Sequence, residues 1–220
     1  NNQSNPYDNR DPRMQYTIVC NEMKWPVDPV EIWEGGTNGL PLQNATTTGY
    51  YLKKYVNNTI SFEAGSTVTK KQHNWVLFRY GEILLNYAEA MINAFHDPNY
   101  KDAVYNMSAR EAVNQIRGRT NISLPGFPSD ITEKDFVKRL KNERRVELAF
   151  EGHRFWDVRR WKELGQTANI YGVKITKNNE VISYEKFLLE TRAVTDNMYF
   201  YPIPNTERFK NPNLGQNPGW

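Results

Sequence analysis

Residues 143–161 read ERRVELAFEGHRFWDVRRW, and few folds can accommodate such a run. Five arginines (144, 145, 154, 159 and 160) alternate with Glu143, Glu147, Glu151 and Asp157, and Phe150, Phe155, Trp156 and Trp161 are threaded between them. A solvated charged helix has no use for four large aromatics in so few turns, and a plain core helix would not carry so many charges. The run therefore predicts helix in which charges neutralise one another while the aromatics are buried. Arg144 lies three residues before Glu147, and Arg154 three after Glu151, so each carboxylate has a guanidinium at helical contact spacing. With Asp157 added, Arg144, Glu147, Glu151 and Arg154 form an expected structural ion-pair lattice.

The same residues invite a chemical reading, since Glu147, Glu151 and His153 combine two carboxylates on one helix face with an imidazole. A zinc helix would need a second histidine at ligand spacing, and His73 and His96 are remote in sequence. No serine or cysteine sits in a nucleophile-elbow context, and 35–39 lacks the spacing and the lysine of a phosphate-binding loop. The residues thus select no catalytic set, metal site or cofactor, although a carboxylate pair for glycoside hydrolysis, whose separation is a three-dimensional quantity, stays open at this point.

Charge and composition narrow the partners. The formal net charge of +3 comes from 28 basic and 25 acidic residues that are well mixed, which argues against a nucleic-acid surface. Cys20 is the single cysteine, so neither an intrachain disulfide nor a thiolate cluster is possible. No apolar run approaches the roughly 20 residues that a membrane-spanning helix needs. Opening at Asn1, without an initiator methionine or a signal-peptide pattern, is what a processed form or a fragment would show.

Three segments are expected. Residues 1–75 are rich in Asn, Gly, Pro and Thr and read as loop with one strand at 50–56. Residues 76–165 read as a helical core. Tyr80, Leu84, Tyr87, Met91 and Phe95 share one face of a helix over 78–95, and a second helix over 102–118 carries Ala109, Ala112, Val113 and Ile116. The short Pro-containing connection predicts an antiparallel pair, with Ala88, Ala90, Ala109 and Ala112 permitting close approach. Thr132 is the expected N-cap of a third helix running to 150 or 151 and stopping at Gly152, with a short helix over 153–162 after it. Residues 166–220 are expected to hold a hairpin turning at 177–180, then an extended stretch at 201–204 and an irregular tail pinned by Trp220. The fold class is mainly α, with irregular loops and a small β-hairpin.

The tryptophans divide by context. Trp156 and Trp161 lie within helical periodicity and read as core, and Trp75 reads as a staple against the first long helix. Trp25 and Trp33 instead sit in a Pro/Gly/Asn-rich loop beside Asp28, Glu31 and Asn38. Flat aromatic faces next to hydrogen-bonding side chains suit a sugar ring, which stacks by its apolar face while its hydroxyls need polar partners. Packing beneath the loop is the competing reading, and these five residues are the ligand-binding candidates.

Laid out in order, the chain resembles the SusD/RagB family of outer-membrane nutrient-binding lipoproteins. The motifs are Asp11-Pro12-Arg13-Met14 with Thr17, GYYLKKY at 49–55 and FRYGEILLNYAEAM at 78–91. NQIRGRTNI at 114–122, the 143–161 block, YPIP at 201–204, Glu207 and NPNLGQNPGW at 211–220 follow. The resemblance covers essentially the whole chain and implies a tetratricopeptide-like helix pair followed by a loop-rich SusD-like C-terminal region. Family members are usually more than twice this length, so it implies that residues 1–220 form a single C-terminal domain without the N-terminal half. It also implies that Cys20 lies inside the fold and is not the lipid-bearing residue, any membrane attachment being through a lipid anchor outside this chain. The implied function is non-catalytic binding of oligosaccharides at the outer membrane for delivery to a SusC-like TonB-dependent transporter. Two alternatives stay open: peptide capture, as in RagB-like members, and a helical-pair protein-interaction scaffold. The shared motifs are scaffold in this resemblance, so they name no ligand contacts.

Overall fold

In the computed structural model, which describes residues 5–60 and 67–220, the elements follow the sequence closely in kind and less closely in extent. The described residues hold six helices: α1 Met14–Thr17, α2 Tyr80–Phe95, α3 Ala109–Arg117, α4 Glu133–Glu147, α5 His153–Arg160 and α6 Asn205–Lys210. They also hold two small antiparallel sheets. Strands β1 Ile18–Val19 and β2 Tyr51–Leu52 form one, and β3 Asn169–Asn178 and β4 Val181–Thr191 form the other. The fold is mainly helical with a β-hairpin, and the strand expected over 50–56 contracts to two paired residues.

Two compact units emerge, cutting across the three expected segments. The first combines Tyr7–Pro29 with Tyr51–Glu151, and the second combines Val30–Tyr50 with Gly152–Trp220. The charged block is therefore divided at Gly152.

The core of the first unit lies among α2, α3 and α4. Leu84, Leu85, Ala88, Met91 and Ile92 of α2 meet Ala109, Ala112, Val113 and Ile116 of α3, with Phe136 and Leu140 of α4 closing the cluster. The Tyr80 hydroxyl bonds to Gln115 at 3.4 Å and the Tyr87 hydroxyl to the Met107 carbonyl at 2.5 Å, so α2 and α3 run antiparallel. Ala88, Ala109 and Ala112 are fully buried and permit the close approach, whereas Ala90 is exposed. Leu84, Tyr87, Met91 and Phe95 of the expected face of α2 lie in or against this cluster, and Tyr80 alone of the five stands outside it. Helix α3 begins at Ala109 rather than near 102. The Asp102 carboxylate accepts the Val104 and Tyr105 N–H groups at 2.8 and 2.6 Å, a local turn that competes with helix. Ser108 then forms a reciprocal capping box with Glu111, fixing the start.

Helix α4 starts as expected, with the Thr132 hydroxyl accepting the Asp135 N–H at 3.2 Å. It ends at Glu147, three or four residues early, and cations take carbonyls at and just beyond its end. Arg79 Nη2 donates to the Glu147 carbonyl at 2.7 Å, and Lys54 Nζ donates to the Ala149 carbonyl at 3.0 Å. Phe150 and Gly152 then adopt left-handed conformations (φ 62° and 80°), and Gly152 caps the start of α5.

In the second unit the hairpin is longer than expected, pairing Asn169↔Thr191 through Asn178↔Val181 with a bulge between Ile170 and Tyr171. Its two-residue turn, Asn179-Glu180, has both φ values positive (46° and 65°), the type I′ arrangement that matches strand twist. The tail is pinned as expected: Trp220 Nε1 lies 3.0 and 3.1 Å from the carbonyls of Asn197 and Phe200.

The aromatics of the charged block are not core. Trp156 is 59% exposed, Phe150 and Phe155 are also exposed, and Trp161 is half-buried. Trp75 is 84% exposed and staples nothing. On a short helix such as α5, Asp157 and Val158 take the buried side and the large rings fall on the other.

Candidate functional site

Three carboxylates of the charged block form the centre of an ion-pair network in the first unit. Glu143 accepts Arg13 Nη1 at 2.6 Å and Arg117 Nη1 at 2.7 Å. Glu147 accepts Arg13 at 2.9 Å, Arg79 at 2.7 Å and both terminal nitrogens of Arg119 at 2.9 and 2.7 Å. Glu151 accepts Arg79 Nε at 2.7 Å and Lys54 Nζ at 2.6 Å. Asp11 grips Arg13 from the outside, with Nε at 3.0 Å and Nη2 at 2.7 Å. Burial pushes the Glu147 carboxyl up, but the hydrogen bonds from Arg119, Arg79 and Arg13 overcome it and hold the group at about 2. Burial and the Arg79 and Lys54 bonds act in the same opposed way on Glu151, with a net lowering. Arg13 and Arg79 are correspondingly held in their charged forms, against the cost of burial.

Helical spacing correctly marked Glu147 and Glu151 as paired but misjudged the partners. Arg13, Lys54, Arg79, Arg117 and Arg119 come from distant segments, and each lies in one of the ordered motifs. Arg144 instead bonds Asn86 at 2.7 Å and approaches Glu89 at 3.8 Å. Arg154 bonds Gln166 at 2.8 Å, and Asp157 pairs with Arg160 at 2.8 Å, both within the second unit. A cleft of about 490 Å³ opens beside the network, lined by Lys54, Arg79 and Arg119. Their hydrogen bonds run inward to Glu147 and Glu151, so the arrangement neutralises charge rather than presenting it.

The five ligand candidates fall into both units. In the first, Trp25 is half-buried, with Lys53 Nζ 4.7 Å from its ring centroid, and its N–H donates to the Asp28 carbonyl at 2.9 Å. The Asp28 side chain is exposed. In the second, Glu31 and Asn38 close the loop that carries Trp33. The Glu31 carboxylate accepts the Thr37 N–H and hydroxyl at 3.3 and 3.0 Å, and Asn38 Oδ1 accepts the Glu31 N–H at 3.2 Å. Gly36 and Gly39 allow this tight path, since a Cβ at Gly39 would lie 2.1 Å from the Trp33 carbonyl. Trp33 is half-buried beneath Lys177, whose ammonium stands 4.8 Å from the ring centroid. The loop thus uses Glu31 and Asn38 to shape itself and leaves part of the Trp33 ring at the surface.

Other chemistry is sparse. Among the described residues no group of three His, Cys, Asp or Glu side chains is placed to hold a metal ion. No helix of the described residues is long and apolar enough to cross a membrane. Cys20 is buried, and burial pushes its thiol up to about 11.

This architecture recurs in known proteins. A solved SusD-like protein from Bacteroides fragilis superposes with a TM-score of 0.78 at 27% identity, over 97% of this chain and 40% of its own. Two SusD-like proteins of Formosa agariphila, P2 and P38, are 29% and 37% identical over 163 and 150 residues. These alignments take in 71% and 66% of this chain but only 28% and 24% of the relatives, so the chain spans about a quarter of their length. The family model described as the SusD family matches residues 1–220. With the ordered motifs, the fold and the match over its whole length in agreement, the chain belongs to the SusD family.

Proposed function

We propose that this chain takes part in non-catalytic capture of oligosaccharides at the outer-membrane surface, for delivery to a SusC-like TonB-dependent transporter. The family match over residues 1–220 carries this reading. The half-buried Trp25 and Trp33, each on a polar loop, supply the kind of surface on which a sugar ring stacks. Surface attachment in this reading is through a lipid anchor outside residues 1–220, and Cys20 is not the lipidated residue because it is buried. A glycan-array screen followed by calorimetry tests the proposal. Binding should weaken about tenfold or more on Trp33→Ala or Trp25→Ala, roughly the loss of one stacked ring. A protein that ignores every glycan but retains peptides would belong with peptide capture instead.

A second reading has its own observation. Trp75, Val76, Leu77 and Phe78 are all more than half exposed in the run leading into α2, in the first unit. Exposed apolar runs of this kind mark protein-interaction surfaces, which favours a scaffold role for the helix pair. Replacing Trp75, Leu77 and Phe78 by serine would abolish complex formation under that reading and leave glycan binding untouched.

A further inference from the structure

The second unit holds a cleft of about 280 Å³ between the 31–49 loop and the hairpin. Its walls are fixed by backbone bonds rather than by side chains alone. The Glu34 N–H donates to the Ile175 carbonyl at 2.9 Å, and the Val173 N–H donates to the Thr48 carbonyl at 2.9 Å. The loop is therefore tied to β3 on either side of Lys174. Gly49, at φ 82°, is required for this approach, since a Cβ there would lie 2.4 Å from the Val173 carbonyl. Gly172 likewise leaves room for the Phe187 ring, whose edge would stand 2.8 Å from a Cβ at that position.

Buried Ile32 and half-buried Phe187 give the cleft an apolar side. Its polar rim carries Thr47 together with Glu34 and Lys174, which pair at 3.5 Å while both are more than half exposed. An exposed pair at that distance contributes little on its own, so a ligand can displace it at small cost. The volume lies just under the ~300–1,000 Å³ of ordinary small-molecule pockets, which suits one ring and not a chain. One apolar wall opposite a carboxylate, an ammonium and a hydroxyl matches a pyranose. The C–H face of such a ring would cover Phe187, while two adjacent hydroxyls would bridge Glu34 and Lys174, one donating and one accepting.

We infer that this cleft is a subsite for a single uncharged pyranose unit of the captured oligosaccharide, with Phe187 as platform and Glu34, Lys174 and Thr47 as hydroxyl partners. The inference rests on the capture reading above. An acidic sugar is disfavoured because its carboxylate would draw Lys174 away and face Glu34 directly.

The test is calorimetric titration with methyl glycosides of glucose, galactose, mannose and xylose, their disaccharides, and methyl glucuronide. A neutral glycoside should bind, and Glu34→Gln and Thr47→Val should each weaken it about tenfold with little change in the folding midpoint, because both side chains are exposed. Phe187→Ala should weaken it further. Neutral-sugar binding that survives Glu34→Gln and Thr47→Val but is lost in Trp33→Ala would overturn the subsite and leave capture standing. Preference for the glucuronide would also overturn it. Failure of every sugar to bind the parent protein would remove both.

Discussion

Glu147 accepts hydrogen bonds from Arg13, Arg79 and Arg119, three cations that lie far apart in the chain. Its carboxylate is almost completely buried, so deleting the charge takes from Arg119 the carboxylate it pairs with and leaves Arg13 and Arg79 each short of one of theirs. Breaking a buried pair in this way typically costs roughly 3–5 kcal/mol. Glu147→Gln should lower stability by about that amount in urea denaturation, and a loss under ~1 kcal/mol would show that the network contributes little. The same geometry sets the acid response. Glu147 titrates at about 2 in the folded chain against 4.5 ordinarily, and Glu151 is lowered in the same direction. Depressed carboxyl groups stabilise the fold above their unfolded value, and that contribution is lost as pH falls through the folded one. Stability should therefore decline between about pH 4.5 and 2, and Glu147→Gln should flatten the decline. An unfolding free energy that is constant over that range would contradict the assignment.

At the scale of elements, the hairpin turn offers a clean probe. Glu180 holds φ 65° without being glycine, and its carboxylate, which pairs with Lys177, is exposed. Left-handed backbone at a non-glycine residue costs on the order of 1 kcal/mol, more than an exposed pair returns. Glu180→Gly should slow amide exchange across β3 and β4, and faster exchange would mean that the Lys177 pair governs the turn.

Much of this level is legible in the sequence because it is local. The Thr132 cap, the apolar stripe of α3 and the hairpin turn all follow from residues a few positions apart. The misjudged features depend on distant chain. Helix α4 ends early at a point where Arg79 and Lys54, remote in sequence, take the carbonyls of Glu147 and Ala149. The charged block looked self-sufficient because helical spacing reports only neighbours on the same helix, whereas its shown partners arrive from four other segments. A signal for them was present all the same: the motifs at 11–14, 49–55, 78–91 and 114–122 each carry a basic residue. Exposure of Trp156 and Phe155 was illegible for a different reason, since periodicity says which residues share a face and not which face is covered. The ligand candidates show a similar limit. Residues 25 and 28 fall in one unit and 31, 33 and 38 in the other, a division no reading of a continuous loop would supply.

For the whole molecule, the structure separates scaffold from surface. The motifs at 11–14, 49–55, 78–91 and 114–122 converge with the charged block on buried ion pairs, where exchange of any one would propagate through several segments. The loop around Trp25 is held by a backbone bond, the loop around Trp33 by Glu31, Asn38 and close-packed glycines, and the cleft over the hairpin by Gly49 and backbone bonds, which leaves other exposed side chains there free to change. A fold arranged in this way can vary its ligand while keeping its frame, which is what a capture protein requires. Capture without chemistry is the proposed function, and one experiment addresses it directly. The protein is incubated with the oligosaccharide that binds best in the glycan screen, the bound fraction is measured by equilibrium dialysis, and the recovered sugar is weighed by mass spectrometry. The account predicts saturable binding with the oligosaccharide recovered at its original length. Shortened or modified sugar, growing with time and with protein concentration, would contradict it.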